Sequence, residues 1–262
     1  MTTPPPIHKL FDHDLLQTRY ARLLKTKKTV DFLQREAANE IADRLTMVKR
    51  SFAQATDLFS QTGQLTQALA NSPKVGTISR RDQLQEKNPE NLHLAPQSQD
   101  LITSALALQW ANDLPGLLIQ INRALKPGGL FLGALLGGET LNELRTAFAV
   151  AEQACEGGIS PRIMPFADIR QMGALLQRAR FEIPVADRDI LKARYASPLA
   201  LMGELRRMGG ANAMMARRKT PLRRKTLNYM IDYYNENFSS QDGRITASFE
   251  IIYLSGWRPK ET

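Results

Sequence analysis

Apolar residues recur at helical spacing early in the chain: Leu23, Leu24, Val30, Leu33, Ala37, Ile41 and Leu45 predict Arg/Lys-rich entry helices over 15–47 that cover a sheet. The period then shortens. A strand over 53–58 is followed by a helix from Gly63 to Leu69, a stop at Asn71-Ser72-Pro73 and a second short strand over 74–78. Further on come a strand over 100–104, a helix over 114–125, a turn at Lys126-Pro127-Gly128-Gly129 and a strand over 130–136. That last strand is apolar on both faces, as a central strand covered on two sides should be. A helix opens at Gly137-Gly138-Glu139-Thr140 and runs through Leu144, Phe148 and Ala151, followed by a helix over 165–178 and a strand over 185–195. Two helices, 198–208 and 221–238, lead to a closing strand that alternates Ile245, Ala247, Phe249, Ile251 and Tyr253.

Alternating strands and helices predict an α/β fold with a mostly parallel sheet, and a late strand reached through helices suits an antiparallel addition. Residues 79–90 are polar apart from Leu84 and Pro89, and only Leu92 and Leu94 follow as apolar positions of note before the next strand. A parallel crossover with its own helix needs a dozen or more residues, so a helix and a further strand do not both fit there. The sheet is therefore expected to be shortened around its second and third strands. The expected organisation is one domain over 1–262, with N-terminal helices over 1–50 and a helical basic insert over 196–240.

The net charge of +9 is concentrated late in the chain, at Arg206, Arg207, Arg217, Arg218, Lys219, Arg223, Arg224 and Lys225. This cluster reads either as a solvated helical face or as a dock for an acidic protein partner. Nucleic acid is disfavoured, because no aromatic stacking set or nucleic-acid motif accompanies the charge. The single Cys155 permits no internal disulfide, and with His8, His13 and His93 it shows no metal-ligand spacing. No apolar run approaches the roughly 18 residues of a membrane span. The first residues lack a secretory signal pattern, and a reducing cytoplasm is the expected location.

Candidate chemistry centres on 56–63. A first-strand turn that lays its backbone against a nucleotide needs glycine where a side chain would block the ligand. Here Asp57 keeps the carboxylate expected after an apolar run, but Phe59 and Gln61 place bulk in the turn and only Gly63 remains. A ribose-gripping carboxylate belongs at the end of the second strand, about 20 residues on in the analogous dinucleotide fold. Ser79-Arg80-Arg81 stands there instead, with Asp82 the nearest substitute.

The element order resembles that of class I S-adenosylmethionine-dependent methyltransferases, with a Rossmann-like sheet. Five strings narrow the resemblance: Leu106-Ala107-Leu108-Gln109-Trp110-Ala111-Asn112-Asp113-Leu114-Pro115; Leu125-Lys126-Pro127-Gly128-Gly129; Gly137-Gly138-Glu139-Thr140-Leu141-Asn142-Glu143-Leu144-Arg145; Glu156-Gly157-Gly158-Ile159-Ser160-Pro161-Arg162; and Ile251-Ile252-Tyr253-Leu254-Ser255-Gly256-Trp257. With Phe11-Asp12, they look like the branch of mitochondrial complex I assembly factor five and its bacterial relatives, cousins of the biotin-synthesis malonyl-carrier methyltransferases.

The resemblance implies S-adenosylmethionine as cofactor and places Asp57, Phe59, Gly63, Asp82, Asn88, Glu90 and Ser104 at cofactor-contacting positions. Asn88 and Glu90 stand for the acidic motif near the adenine amine. The implied catalytic candidates are Gln109, Trp110 and Glu139. Gln109 cannot act as a general acid or base near neutral pH, and Trp110 at the end of a strand reads more as packing than as pocket lining. Glu139 is placed either at a helix start or at the ligand end of the central strand. Asn112 and Asp113 read as N-cap residues. Two functions remain open: an active S-adenosylmethionine-dependent enzyme, or an assembly protein with weakened cofactor binding that holds a respiratory complex I subunit through its basic segment.

Overall fold

The computed structural model describes residues 9–25, 31–82 and 90–260; His8, Val30 and Asn88 lie outside them. Two entry helices, α1 (His13–Leu24) and α2 (Phe32–Met47), precede β1 (Phe52–Leu58), α3 (Gln64–Ala70) and β2 (Val75–Arg81). Then come β3 (Gln99–Ala105), α4 (Leu114–Ala124), β4 (Leu125–Leu136), α5 (Asn142–Glu156) and α6 (Ile169–Arg178). The chain closes with β5 (Glu182–Tyr195), α7 (Pro198–Arg207), α8 (Arg224–Phe238) and β6 (Ile245–Trp257).

The six strands form one sheet in the order β2-β1-β3-β4-β6-β5. The pairings β1–β2, β1–β3 and β3–β4 are parallel, whereas β6 runs antiparallel to both β4 and β5. The late strand is thus inserted beside β4 rather than added at the edge. Between β2 and β3 the described residues hold neither helix nor strand, as the polar run over 79–90 predicts.

Alternation in the central strands divides the core. Leu130, Leu132 and Ala134 of β4 face one layer with Ile41 and Leu45 of α2, Leu144 and Phe148 of α5, and Tyr234 of α8. Phe131 and Leu135 face the other, with Leu118 and Ile121 of α4 and Leu176 of α6. Both layers exclude water, which explains why this strand is apolar at every position from Leu130 to Leu136 except Gly133. The expected turn at 126–129 is a bulge instead: Gln99 pairs with Leu125 and Leu101 with Leu130, so Asp100 alone faces 126–129. Gly128 takes φ +71° there, a conformation that L side chains rarely adopt.

A third cluster closes the ligand end of the sheet. Phe11 packs edge-to-face on Trp110 with ring centroids 5.5 Å apart, beside Met164, Ala213 and Met214. Asp12 caps α1 by accepting from Leu15 N at 3.0 Å, and its other oxygen pairs with Arg217 at 3.0 Å. Part of the basic segment is thereby tied to the N-terminal helix.

Candidate functional site

The turn leaving β1 is held by groups from α1, α2, β2 and β3. Phe59 adopts φ +63° and buries its ring in the second core layer, which also contains Leu92, Ala107 and Leu108. A left-handed backbone at a bulky residue costs about 1–2 kcal/mol, offset here by burial of the aromatic ring. Gly63 does not take up this role: its φ is −76°, and a Cβ added there would meet no atom. The expectation that Gly63 supplies the tight turn is corrected accordingly, since the left-handed step falls on Phe59.

Arg80 stands at the end of β2, in register with Asp57 of β1. Its Nη2 donates to the carbonyl oxygens of Ser60 at 2.8 Å and Gln61 at 3.2 Å. The Tyr20 hydroxyl of α1 donates to the same Gln61 carbonyl. The Gln61 side-chain oxygen accepts from Gln34 of α2 at 3.3 Å, and Ser60 Oγ accepts from Ala105 N at 3.0 Å. Asp82 points its carboxylate toward Arg80, 4.0 Å away.

Asp57 lies beneath this turn, fully buried. Its Oδ2 accepts from Thr66 Oγ1 at 2.6 Å, whereas Oδ1 has no hydrogen-bond partner among the described residues. Burial pushes its pKa up, a rise opposed by neighbouring Ser60, Thr66 and the charge of Arg80. Ser104 is also buried, and its hydroxyl donates to the Leu58 carbonyl at 2.8 Å, stitching β3 to β1. Asp57, Phe59, Gly63, Asp82 and Ser104 thus cluster around the ends of the first three strands.

Glu90 works elsewhere. Its two oxygens accept from Asn112 N at 2.8 Å and Asp113 N at 3.0 Å, and His13 lies 3.4 Å away. Both oxygens therefore serve the chain entering α4, a use that the sequence pattern did not suggest. Asp113 caps α4 through Gly116 N at 2.8 Å, as read from the sequence, while Asn112 bonds the backbone of Phe11.

Gln109 and Trp110 lie in a short 3-10 turn after β3. Gln109 donates to the Leu106 carbonyl at 2.7 Å, and its Oε1 is buried without a partner among the described residues. Trp110 is buried against Phe11. Glu139 is exposed, and it does not open α5: the helix begins at Asn142, after Leu141 in the left-handed conformation. The start is displaced because the preceding turn is tied to β6. Glu139 N donates to Glu250 Oε2 at 2.8 Å, and Thr140 Oγ1 to the Glu250 carbonyl at 3.1 Å.

The buried acids Glu250 and Glu152 were not singled out in the sequence. Glu250, only 3% exposed, also pairs with Arg188 at 2.9 Å and leaves room only for glycine at 137, where a Cβ would lie 2.6 Å from its carboxyl. Glu152 accepts from Ser160 N and Oγ, both at 2.6 Å, and from Arg162 Nε at 2.7 Å. Burial raises its pKa, but Ser160 and Arg162 outweigh that and hold it below the usual range. Alternation in β6 flags position 250 only in hindsight, because an acid between Phe249 and Ile251 reads as solvent-facing.

Two cavities open at this end of the sheet. A narrow one of about 50 Å³ is lined by Gln34, Gln61, Gln109, Trp110 and Thr140. A larger one of about 680 Å³ lies against α5 and α7 and shares Leu141, Met164, Phe166, Leu205 and Gly210 with the first. Among the described residues, no group of three or more His, Cys, Asp or Glu could hold a metal ion, and no helix is long and apolar enough to cross a membrane.

Sheet order, the antiparallel β6 and the turn at the ends of β1–β3 define a class I methyltransferase fold. The methyltransferase-domain profile matches residues 41–133. A methyltransferase-fold protein of Bacillus halodurans superposes with a TM-score of 0.54 at 15% identity, covering 84% of this chain and 97% of its own. The human mitochondrial arginine-hydroxylase NDUFAF5 is 35% identical over 279 residues, spanning 100% of this chain and 80% of that protein. A malonyl-[acyl-carrier protein] O-methyltransferase of Laribacter hongkongensis is 30% identical over 276 residues, 95% of this chain and 90% of the enzyme. The chain belongs to the NDUFAF5 branch of the S-adenosylmethionine-dependent methyltransferase superfamily.

Proposed function

We propose that this protein serves the assembly of respiratory complex I, or modification of one of its subunits, as a methyltransferase-fold protein with weakened or lost cofactor binding. The observation that carries this reading is Arg80, which stands at the end of β2 where a ribose-gripping carboxylate belongs and whose guanidinium donates to the carbonyls of the turn after β1. Phe59, buried at a left-handed position, supports it further. So does the cavity beside Gln61 and Gln109, which at about 50 Å³ falls well short of the roughly 300 Å³ or more of ligand sites. On this reading Arg80 and Phe59 take up space that an adenosyl cofactor would need. The exposed cations Arg223, Arg224 and Lys225 suit an acidic face of a partner subunit, and a cytoplasmic setting is part of the same reading.

A second reading, an active S-adenosylmethionine-dependent enzyme, is favoured by the buried, unpartnered Oδ1 of Asp57, an acceptor without a donor among the described residues. Deleting the protein and assaying membrane NADH:quinone activity separates the two. Activity should fall on deletion and return with the wild-type chain and with Asp57→Asn. Restoration by wild type alone, with Asp57→Asn stably folded, favours the enzyme. Unchanged activity on deletion overturns the assembly role.

A further inference from the structure

We propose that the 680 Å³ cavity against α5 and α7 binds a fatty-acyl carboxylate, its head on the cationic rim and its chain along the apolar wall. The volume is that of a small-molecule site. Its wall is built from Leu144, Phe148, Met164, Met202 and Leu222, and methionine adapts readily to a flexible chain.

The charge of the lining selects the head group. Six cations line the cavity, Arg19, Arg162, Arg206, Arg217, Arg218 and Lys219, and no acid does. Three are balanced by carboxylates behind the wall: Arg162 by Glu152 at 2.7 Å, Arg217 by Asp12 at 3.0 Å, and Arg218 by Glu156. Arg19 donates to the carbonyl oxygens of Ala211 at 3.0 Å and Asn212 at 2.7 Å and forms no ion pair among the described residues, and the pull of Asp12 on it is opposed by Arg217. Arg206 and Lys219 are exposed and form no ion pair among the described residues. The rim therefore keeps a surplus of positive charge. Arg162 adds an unmet donor: its Nη2 is buried without a hydrogen-bond partner among the described residues. A carboxylate answers both features, whereas an ammonium or guanidinium ligand is repelled.

This inference is independent of cofactor binding, because the lining cations belong to α1, α7 and the segments at 162 and 217–219 rather than to the turn after β1. Calorimetric titration with hexanoate, octanoate and decanoate, each below its micelle concentration, tests it. Affinity should rise about fourfold for each methylene, the tightening expected for an apolar wall. Decanol and decyltrimethylammonium should bind at least tenfold more weakly than decanoate. Arg206→Glu with Lys219→Glu, both at exposed positions, should weaken decanoate at least tenfold with an unchanged melting temperature. Absence of decanoate binding at millimolar concentration, equal binding of decanol or the ammonium probe, or indifference to the charge reversal overturns the proposal.

Discussion

The Arg80 guanidinium sits 2.8 Å from the Ser60 carbonyl oxygen, so the last turn of β2 clamps the loop that leaves β1. In a methyltransferase fold this is the place where strand ends meet the cofactor, and here the ends bind one another. Arg80→Ala should speed amide exchange across 60–63 and lower stability by about 1.5–3 kcal/mol, the range for hydrogen bonds to a charged group. Denaturant titration and hydrogen exchange on the variant measure both. Unchanged exchange would mean that Tyr20 and Gln34 hold the turn without Arg80.

Phe59→Gly sets two effects against each other. Glycine relieves the left-handed backbone strain at φ +63°, worth about 1–2 kcal/mol, but removes a buried ring whose truncation costs about 3–5 kcal/mol. The larger effect wins, and a net loss of about 1–4 kcal/mol is expected by urea denaturation. A neutral or stabilising result would mean that the ring is poorly packed.

Gly137→Ala brings a methyl group to 2.6 Å from the Glu250 carboxyl, which is held by Arg188 and by Glu139 N. Overpacking of this kind costs about 1–3 kcal/mol. The cost should shrink when Glu250→Ala is combined with it, because the two side chains contend for one space. Strict additivity in the double-mutant cycle would contradict that contact.

Glu152 and Asp57 should give opposite pH dependences. The folded-state pKa of Glu152 is lowered, so its ionised form stabilises the fold above its unfolded pKa, and that stability is lost as pH falls through the folded value. Asp57 is raised, so its contribution is largest at acid pH and is lost as pH rises through its folded value. Relative to wild type, Glu152→Gln should cost more at pH 7 than at pH 3. Asp57→Asn, which can still accept from Thr66, should be better tolerated at pH 7 than at pH 3. Melting temperatures across that range test both signs.

The sequence revealed periodicity and shortage of room. Leu130 to Leu136 read as a central strand because both faces are apolar, and the largely polar 79–90 run predicted a shortened crossover, which holds neither helix nor strand among the described residues between β2 and β3. Hidden from it were pairings between distant segments. Arg80 read as a substitution for an acid, yet its partners at Ser60 and Gln61 follow only from the register of β1 and β2. Glu90 kept an acidic motif position while its carboxylate turned to the start of α4. Leu141 gave no helix-start signal, because its left-handed conformation is imposed by Ser248 of β6, whose carbonyl accepts from Leu141 N at 2.7 Å. Local pattern encodes which face is buried; it does not encode which buried donor finds which acceptor.

The most direct measurement is calorimetric titration of the purified protein with S-adenosylmethionine and S-adenosylhomocysteine, with the melting temperature followed in parallel. A ligand at about 100 times its dissociation constant stabilises by roughly 2.7 kcal/mol, enough to move the transition visibly. With Arg80 and Phe59 closing the turn, millimolar ligand should give no binding heat and no shift. Micromolar binding with a raised melting temperature would contradict this and show that the turn opens to admit the cofactor.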